Sequence, residues 1–173
     1  LLRSRGLGDV YKRQVDTHTH IYLKDFDDDR KQIINECKKL GVTKLLLPNI
    51  DSNSMEDVIK ISNEFKGMCF PMVGLHPCSV KQNYNEELSF IKPYIKSCNP
   101  IAIGEIGIDL YWDKSTLDIQ KKAFIKQVNW ALEFELPIVI HARESYNEIF
   151  EILDFLNTSK LKGCLLYTSD AAD

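Results

Sequence analysis

The sequence predicts an α/β protein of the (β/α)8, TIM-type barrel class, with about five of the eight βα units present. Short apolar runs alternate in strict order with segments of helical spacing, joined by short turns, which is the signature of a parallel sheet wrapped by helices. The residues best suited to chemistry, His18 with His20, then His76, Glu105 and His141, fall at the ends of four different runs. A barrel gathers the C-terminal ends of all its strands into one site, whereas a doubly wound sheet offers one switch point.

The elements follow in order. The first strand leads into Val15-Asp16-Thr17-His18-Thr19-His20, where alternate side chains share a face, so both imidazoles project together. Asp27-Asp28-Asp29 places acids at a helix start, Ile33, Ile34, Cys37 and Leu40 recur at helical spacing, and Gly41 suits the residue just past the helix. Thr43 to Pro48 forms a second strand. Ser54 is suited to cap a helix carrying Met55, Val58, Ile59 and Phe65. Cys69 to Leu75 is a third strand, and Leu88, Ile91, Ile95 and Cys98 mark a helix that Pro93 bends. Ile101 to Glu105 is a fourth strand. A long helix spans about Thr116 to Glu135, with Phe124, Val128, Ala131 and Leu132 on one face. Pro137 to His141 is a fifth strand, a helix with Tyr146, Ile149, Phe150 and Leu153 follows, and Lys162-Gly163 opens a sixth strand.

Residues 1–14 show neither period, and 165–173 reads LLYTSDAAD. Both are expected to be non-native read-through, leaving 15–164 as the N-terminal part of the barrel. No apolar run reaches the length of about eighteen residues needed to span a membrane, and no secretory signal pattern is present. The five cysteines are scattered without a C-x-x-C pair, as in a reduced, cytoplasmic protein. The formal charge is −3, so a protein of this composition that handles phosphates needs metal ions for its local positive charge. No obligate protein partner is expected.

The H-x-H pair His18 and His20 offers two converging nitrogens to a divalent metal, against the alternative of a Thr/His-rich turn. Glu105 ends an apolar run, where a carboxylate is costly unless paired or metal-bound; it suits a bridge between two cations, or a salt bridge to Arg143. His141 ends the next run as a ligand or a hydrogen-bonded core histidine. His76, in Gly74-Leu75-His76-Pro77, suits a contact to substrate or leaving group, orientation of a ligand, or a plain turn. Arg143 has the fork that matches phosphate oxygens, or pairs with Glu144, Glu148 or Asp109. Asp109 and Tyr111 lie on the loop after Glu105 and are placed to line the cleft, although loop polarity alone also accounts for them.

Together VDTHTH (15–20), GLHP (74–77), AIGEIGIDLYWD (102–113), QKKAFIKQVNWALE (120–133) and LPIVIHARES (136–145) resemble the TatD family of metal-dependent deoxyribonucleases. The resemblance covers essentially all of 15–163 in order. It implies a barrel holding two or three divalent ions of the magnesium, manganese or zinc type, ligated by His18, His20, Glu105 and His141 with Glu105 bridging. Glu105 and His76 would be catalytic, and His76 and Arg143 would face the substrate phosphate of DNA. The family more often has Ser at the position of Ala142, which removes at most one hydroxyl. It places a further histidine where Leu166 stands and an aspartate base near an eighth strand, so the chain as written is expected to lack full activity.

The resemblance implies hydrolysis of a DNA phosphodiester by water that two cations activate. The same ligand set also fits ester hydrolysis on misacylated tRNA, a D-aminoacyl-tRNA deacylase, and a third possibility is an inactive metal-binding fragment whose open sheet edges favour self-association.

Overall fold

Among the described residues strands and helical segments alternate, and each strand pairs in parallel with at least one strand adjacent to it in sequence. The computed structural model describes residues 14–156 and 159–165. Its elements are β1 (Gln14–Asp16), α1 (Arg30–Lys39), β2 (Val42–Leu47), α2 (Met55–Glu64), β3 (Cys69–Pro71), α3 (Tyr84–Ile91), α4 (Tyr94–Cys98), β4 (Ile103–Asp109), α5 (Leu117–Glu133), β5 (Ile138–Arg143), α6 (Tyr146–Leu156) and β6 (Gly163–Leu165). Residues 1–13 and 166–173, which carry most of the expected non-native flanks and Leu166, lie outside the described residues. Gln14 and Leu165, counted with those flanks, are the first residue of β1 and the last of β6.

The ladders run β1-β2-β3 and β4-β5-β6, all parallel. Past β3 the chain continues against β4: Val73 bridges Ile103 in parallel, and the Gly104 N–H donates to the Val73 carbonyl at 3.0 Å. The described strands thus follow chain order across both ladders. One face of this surface packs on the helices through a large apolar cluster that includes Ile34, Leu47, Val58, Ile103, Phe124 and Ile149. The other face carries a small layer of Met72, Ala102 and Val139, flanked by Leu46 and Ile101. A side chain at Gly104 would strike Val139 in that layer.

Local details refine the sequence expectations. Pro93 divides the predicted third helix into α3 and α4, since proline cannot donate to the helix ladder. Gly41 has φ of 91° just beyond α1, as predicted. Ser54 precedes α2, but its hydroxyl turns back to accept from the Ile50 and Asp51 N–H groups instead of capping the helix. On α5 Trp130 is buried where Leu132 was expected, and on α6 Ile149 and Ile152 are buried while Phe150 is 48% exposed.

The largest difference is in β4. The sequence places its end at Glu105, whereas the strand runs on to Asp109 and all seven residues are buried. Between Ile103 and Ile106 the register against β5 slips, three steps on β4 matching two on β5. Such a bulge re-aims a side chain, here Glu105. Gly107, with φ of 151°, passes so close to the His141 carbonyl that a Cβ would collide with it. β5 likewise extends through His141 to Arg143.

Two buried glutamines on α5, seven residues apart, act as substitute backbone partners. Gln127 accepts from the Leu75 N–H at 2.6 Å and donates to the Leu75 carbonyl at 3.3 Å. Gln120 accepts from the Asp109 N–H at 2.7 Å and donates to the Asp109 carbonyl at 3.0 Å. Each satisfies both backbone polar groups of one residue, Leu75 beyond the end of β3 and Asp109 at the last position of β4.

Candidate metal centre

His18, His20, His76, Glu105 and His141 converge, as the sequence predicts. His18 and His20 lie two and four residues past the short β1, on irregular backbone, yet their Nε2 atoms are 3.0 Å apart. The His18 Nε2 lies 3.4 Å from Glu105 Oε2. The other carboxylate oxygen, Oε1, faces His141 Nδ1 at 3.0 Å and His76 Nε2 at 3.8 Å. Two groups able to hold a cation result, His18–His20–Glu105 and His76–Glu105–His141, and Glu105 belongs to both.

Hydrogen bonds fix the ring protons. The Tyr22 hydroxyl donates to the Pro48 carbonyl at 2.7 Å, so its oxygen must accept from His20 Nδ1 at 2.8 Å. His20 therefore keeps its lone pair on Nε2, aimed at His18. His141 Nε2 meets Asp109 Oδ2 at 2.8 Å. His141 Nδ1 lies 3.0 Å from Glu105 Oε1, so without a metal the ring donates to both carboxylates; a metal would take the place of the Nδ1 proton while Asp109 keeps the other, the carboxylate–histidine arrangement that orients metal ligands. His76 Nδ1 accepts from the Cys78 N–H at 3.2 Å, so the neutral ring carries its proton on Nε2 and presents a donor. To ligate through Nε2, His76 would have to surrender that bond. The donor set of three imidazoles with available nitrogens and a shared carboxylate fits divalent transition metals or magnesium, and the buried His18 Nδ1 has no protein partner.

The electrostatics agree. Burial raises the Glu105 pKa, but the hydrogen bond from His141 and the nearby His76 and His18 outweigh it, leaving the carboxyl below its ordinary value. Asp109 is likewise lowered, burial being overcome by His141 and the loop N–H groups. Burial lowers His141, yet Glu105 and Asp109 more than reverse this and raise it. His76 is pushed down to about 4, chiefly by burial, and His20 is lowered by burial and then by His18. Burial and Asp109 push the Cys78 thiol up to about 12.

Asp109 was expected on a loop lining the cleft. It ends β4, is 2% exposed, and both oxygens are engaged: Oδ2 by His141, Oδ1 by the Tyr111 and Trp112 N–H groups at 3.0 and 3.4 Å. Its place is behind His141. Tyr111 is on the loop as expected, and the Arg143 guanidinium lies 3.8 Å over its ring.

Four supporting residues escaped the sequence reading. Tyr22 fixes His20. Asn49, fully buried, brackets the bulge: its N–H donates to the Gly104 carbonyl at 3.3 Å and its carbonyl accepts from the Glu105 N–H at 3.4 Å, while its side chain donates to the Gly74 carbonyl at 2.7 Å. Gln120 and Gln127 hold Asp109 and Leu75. Only the glutamines left a signal, two polar residues seven apart on an apolar helix face.

Residues 15–172 match the family model for TatD related DNase. The chain is 32% identical over 138 residues to the uncharacterized metal-dependent hydrolase YabD of Bacillus subtilis (strain 168), covering 80% of this chain and 54% of that protein. It is 28% identical over 138 residues to the 3'-5' ssDNA/RNA exonuclease TatD of Pantoea sp. (strain At-9b), covering 80% and 53%. The chain thus spans about half the length of the curated relatives it matches. Among solved structures, the TatD homologue YjjV of Escherichia coli K12 superposes with a TM-score of 0.77 at 22% identity, over 84% of this chain and 56% of that one. A TatD family hydrolase from Entamoeba histolytica gives 0.72 at 18%, over 88% and 57%.

Proposed function

The chain belongs to the TatD-related DNase family, and from that premise we propose that it carries the N-terminal half of a metal-dependent hydrolase that cleaves phosphodiester bonds of DNA. The observation that carries this reading is the split carboxylate of Glu105, with Oε2 toward His18 and Oε1 toward His141. A carboxylate shared between two histidine groups is suited to bridge two cations. The chain-order parallel ladders fit a barrel that closes with further units, and the free cysteines fit a reducing cytoplasm.

In this reading His18, His20, Glu105 and His141 hold the ions, of the magnesium, manganese or zinc type. When bound, such ions supply Lewis acidity toward a phosphoryl oxygen and ease deprotonation of water. The protein's own groups do the rest. Tyr22 and Asp109 hold the His20 and His141 rings in the tautomers that present a lone pair. His76, neutral because its pKa is near 4, directs its Nε2–H at the same point as Glu105 and is placed to donate to a phosphate or leaving oxygen. Arg143 closes β5 at the rim, where its guanidinium suits a phosphate. Among relatives, one is named an exonuclease of single-stranded DNA and RNA, which favours nucleic acid over a carboxyl ester.

The test uses the full-length protein with a labelled single-stranded DNA oligonucleotide. Cleavage should vanish in EDTA and return with added magnesium or manganese. Cleavage that survives chelation, or hydrolysis of D-aminoacyl-tRNA with DNA left intact, would overturn the reading, as would inertness toward both.

A further inference from the structure

Directly after β4 two large aromatic residues stand in water: Tyr111 is 50% exposed and Trp112 is 71% exposed. Scattered apolar side chains on a surface need no explanation, but this pair is fastened to the metal centre. Both of its backbone N–H groups donate to Asp109 Oδ1, and the other oxygen of that carboxylate holds His141. The two rings meet edge to face, centroids 4.9 Å apart at 88°. The Arg143 guanidinium covers the Tyr111 ring at 3.8 Å and lies 5.7 Å from the Trp112 ring. A positioned cation and an open indole therefore stand side by side on a loop held in place by the centre itself.

We propose that Trp112, backed by Tyr111 and Arg143, is a stacking platform for an unpaired nucleobase of the strand whose phosphate lies at the Glu105 centre. The proposal rests on the nucleic-acid reading above and deepens it by naming the residue that receives a base. A flat ring in water suits any base, because every base has a π face, and such stacking tolerates sequence. A base inside a duplex has both faces covered by its neighbours and cannot use the platform. The chain's net charge of −3 gives no broad attraction to a polyanion, which leaves affinity to local features of this kind. The neighbouring guanidinium supplies the charge for a backbone phosphate beside the stacked base.

The chain has two tryptophans, and Trp130 is buried in α5 at 7% exposure, so in the full-length protein the quench that belongs to Trp112 is the part lost in Trp112→Phe. Titration with a phosphorothioate-linked single-stranded oligothymidylate in magnesium should quench the Trp112 emission, and the matching duplex should not. In cleavage assays Trp112→Ala should raise KM for single-stranded DNA about tenfold with kcat retained, Trp112→Phe should restore most of the loss, and a substrate abasic at the stacked position should not distinguish the variants. An unchanged KM in Trp112→Ala, or equal quenching by duplex, would overturn the platform. Quenching is read on uncleaved strand, so quenching without cleavage sinks the hydrolase reading and keeps the platform, whereas cleavage without either Trp112 effect does the reverse.

Discussion

The two sides of the centre are built differently. His18 and His20 stand on irregular chain beyond a three-residue strand whose residues are all exposed, and the positioning bond of that side is a neutral one, from His20 to Tyr22. Glu105, Asp109 and His141 stand on two long adjacent strands whose residues are almost wholly buried, and the bond behind His141 goes to an ionised carboxylate. A charge-assisted hydrogen bond is about twice as strong as a neutral one. The difference teaches that one side is held by the strand ladder, and the other meets it at Glu105 Oε2.

Removing the link is the strongest way to break this comparison. Glu105→Gln keeps the volume but takes away the shared charge, and activity of the full-length protein should fall about a thousandfold or more. Calorimetric titration with manganese should show both binding events weakened. Loss of one event alone would mean that the sides are independent. The next effect sharpens the contrast. Asp109→Asn should weaken manganese binding about a hundredfold, and Tyr22→Phe about tenfold, the range expected for partners behind a ligand. Equal losses would contradict the charged-versus-neutral distinction.

The smallest effect is the pH response of the metal-free protein. His141 has a raised pKa in the folded state, so its share of stability is complete below the ordinary imidazole pKa and disappears as pH rises through the raised value. His20 and His76 are lowered; their share is present above the ordinary value and is lost as pH falls through the lowered one. Thermal unfolding in EDTA should therefore show a maximum, and His141→Gln should abolish the decline on its alkaline side. A decline that persists in that variant would assign it elsewhere.

Most of the centre was legible because histidine is rare here and falls at the ends of apolar runs. Parallel order and the break at Pro93 were legible from spacing and from the missing donor of proline. Asp109 was misplaced for a physical reason: Gly104 and Gly107 look like a strand ending, but they allow β4 to bulge and then pass close to β5. A bulge leaves no period in sequence. Tyr22 and Asn49 were invisible because their roles depend on backbone groups 26 and 25 residues away, the Pro48 and Gly74 carbonyls. On α6, of the apolar residues Tyr146, Ile149, Phe150 and Leu153 that marked the helix, only Ile149 is buried, and Ile152 is buried with it.

The paired glutamines of α5 carry one more consequence, for time rather than position. The amide hydrogens of Leu75 and Asp109 are held by side chains of a helix, not by a neighbouring strand. Breaking those bonds requires the glutamines, and with them α5, to move from the sheet, so that motion is expected to govern their exchange. Their exchange with deuterium thus clocks the opening of that one helix, separately from the strand amides around them, and it does so at the two points where the chain enters His76 and leaves the Glu105 strand.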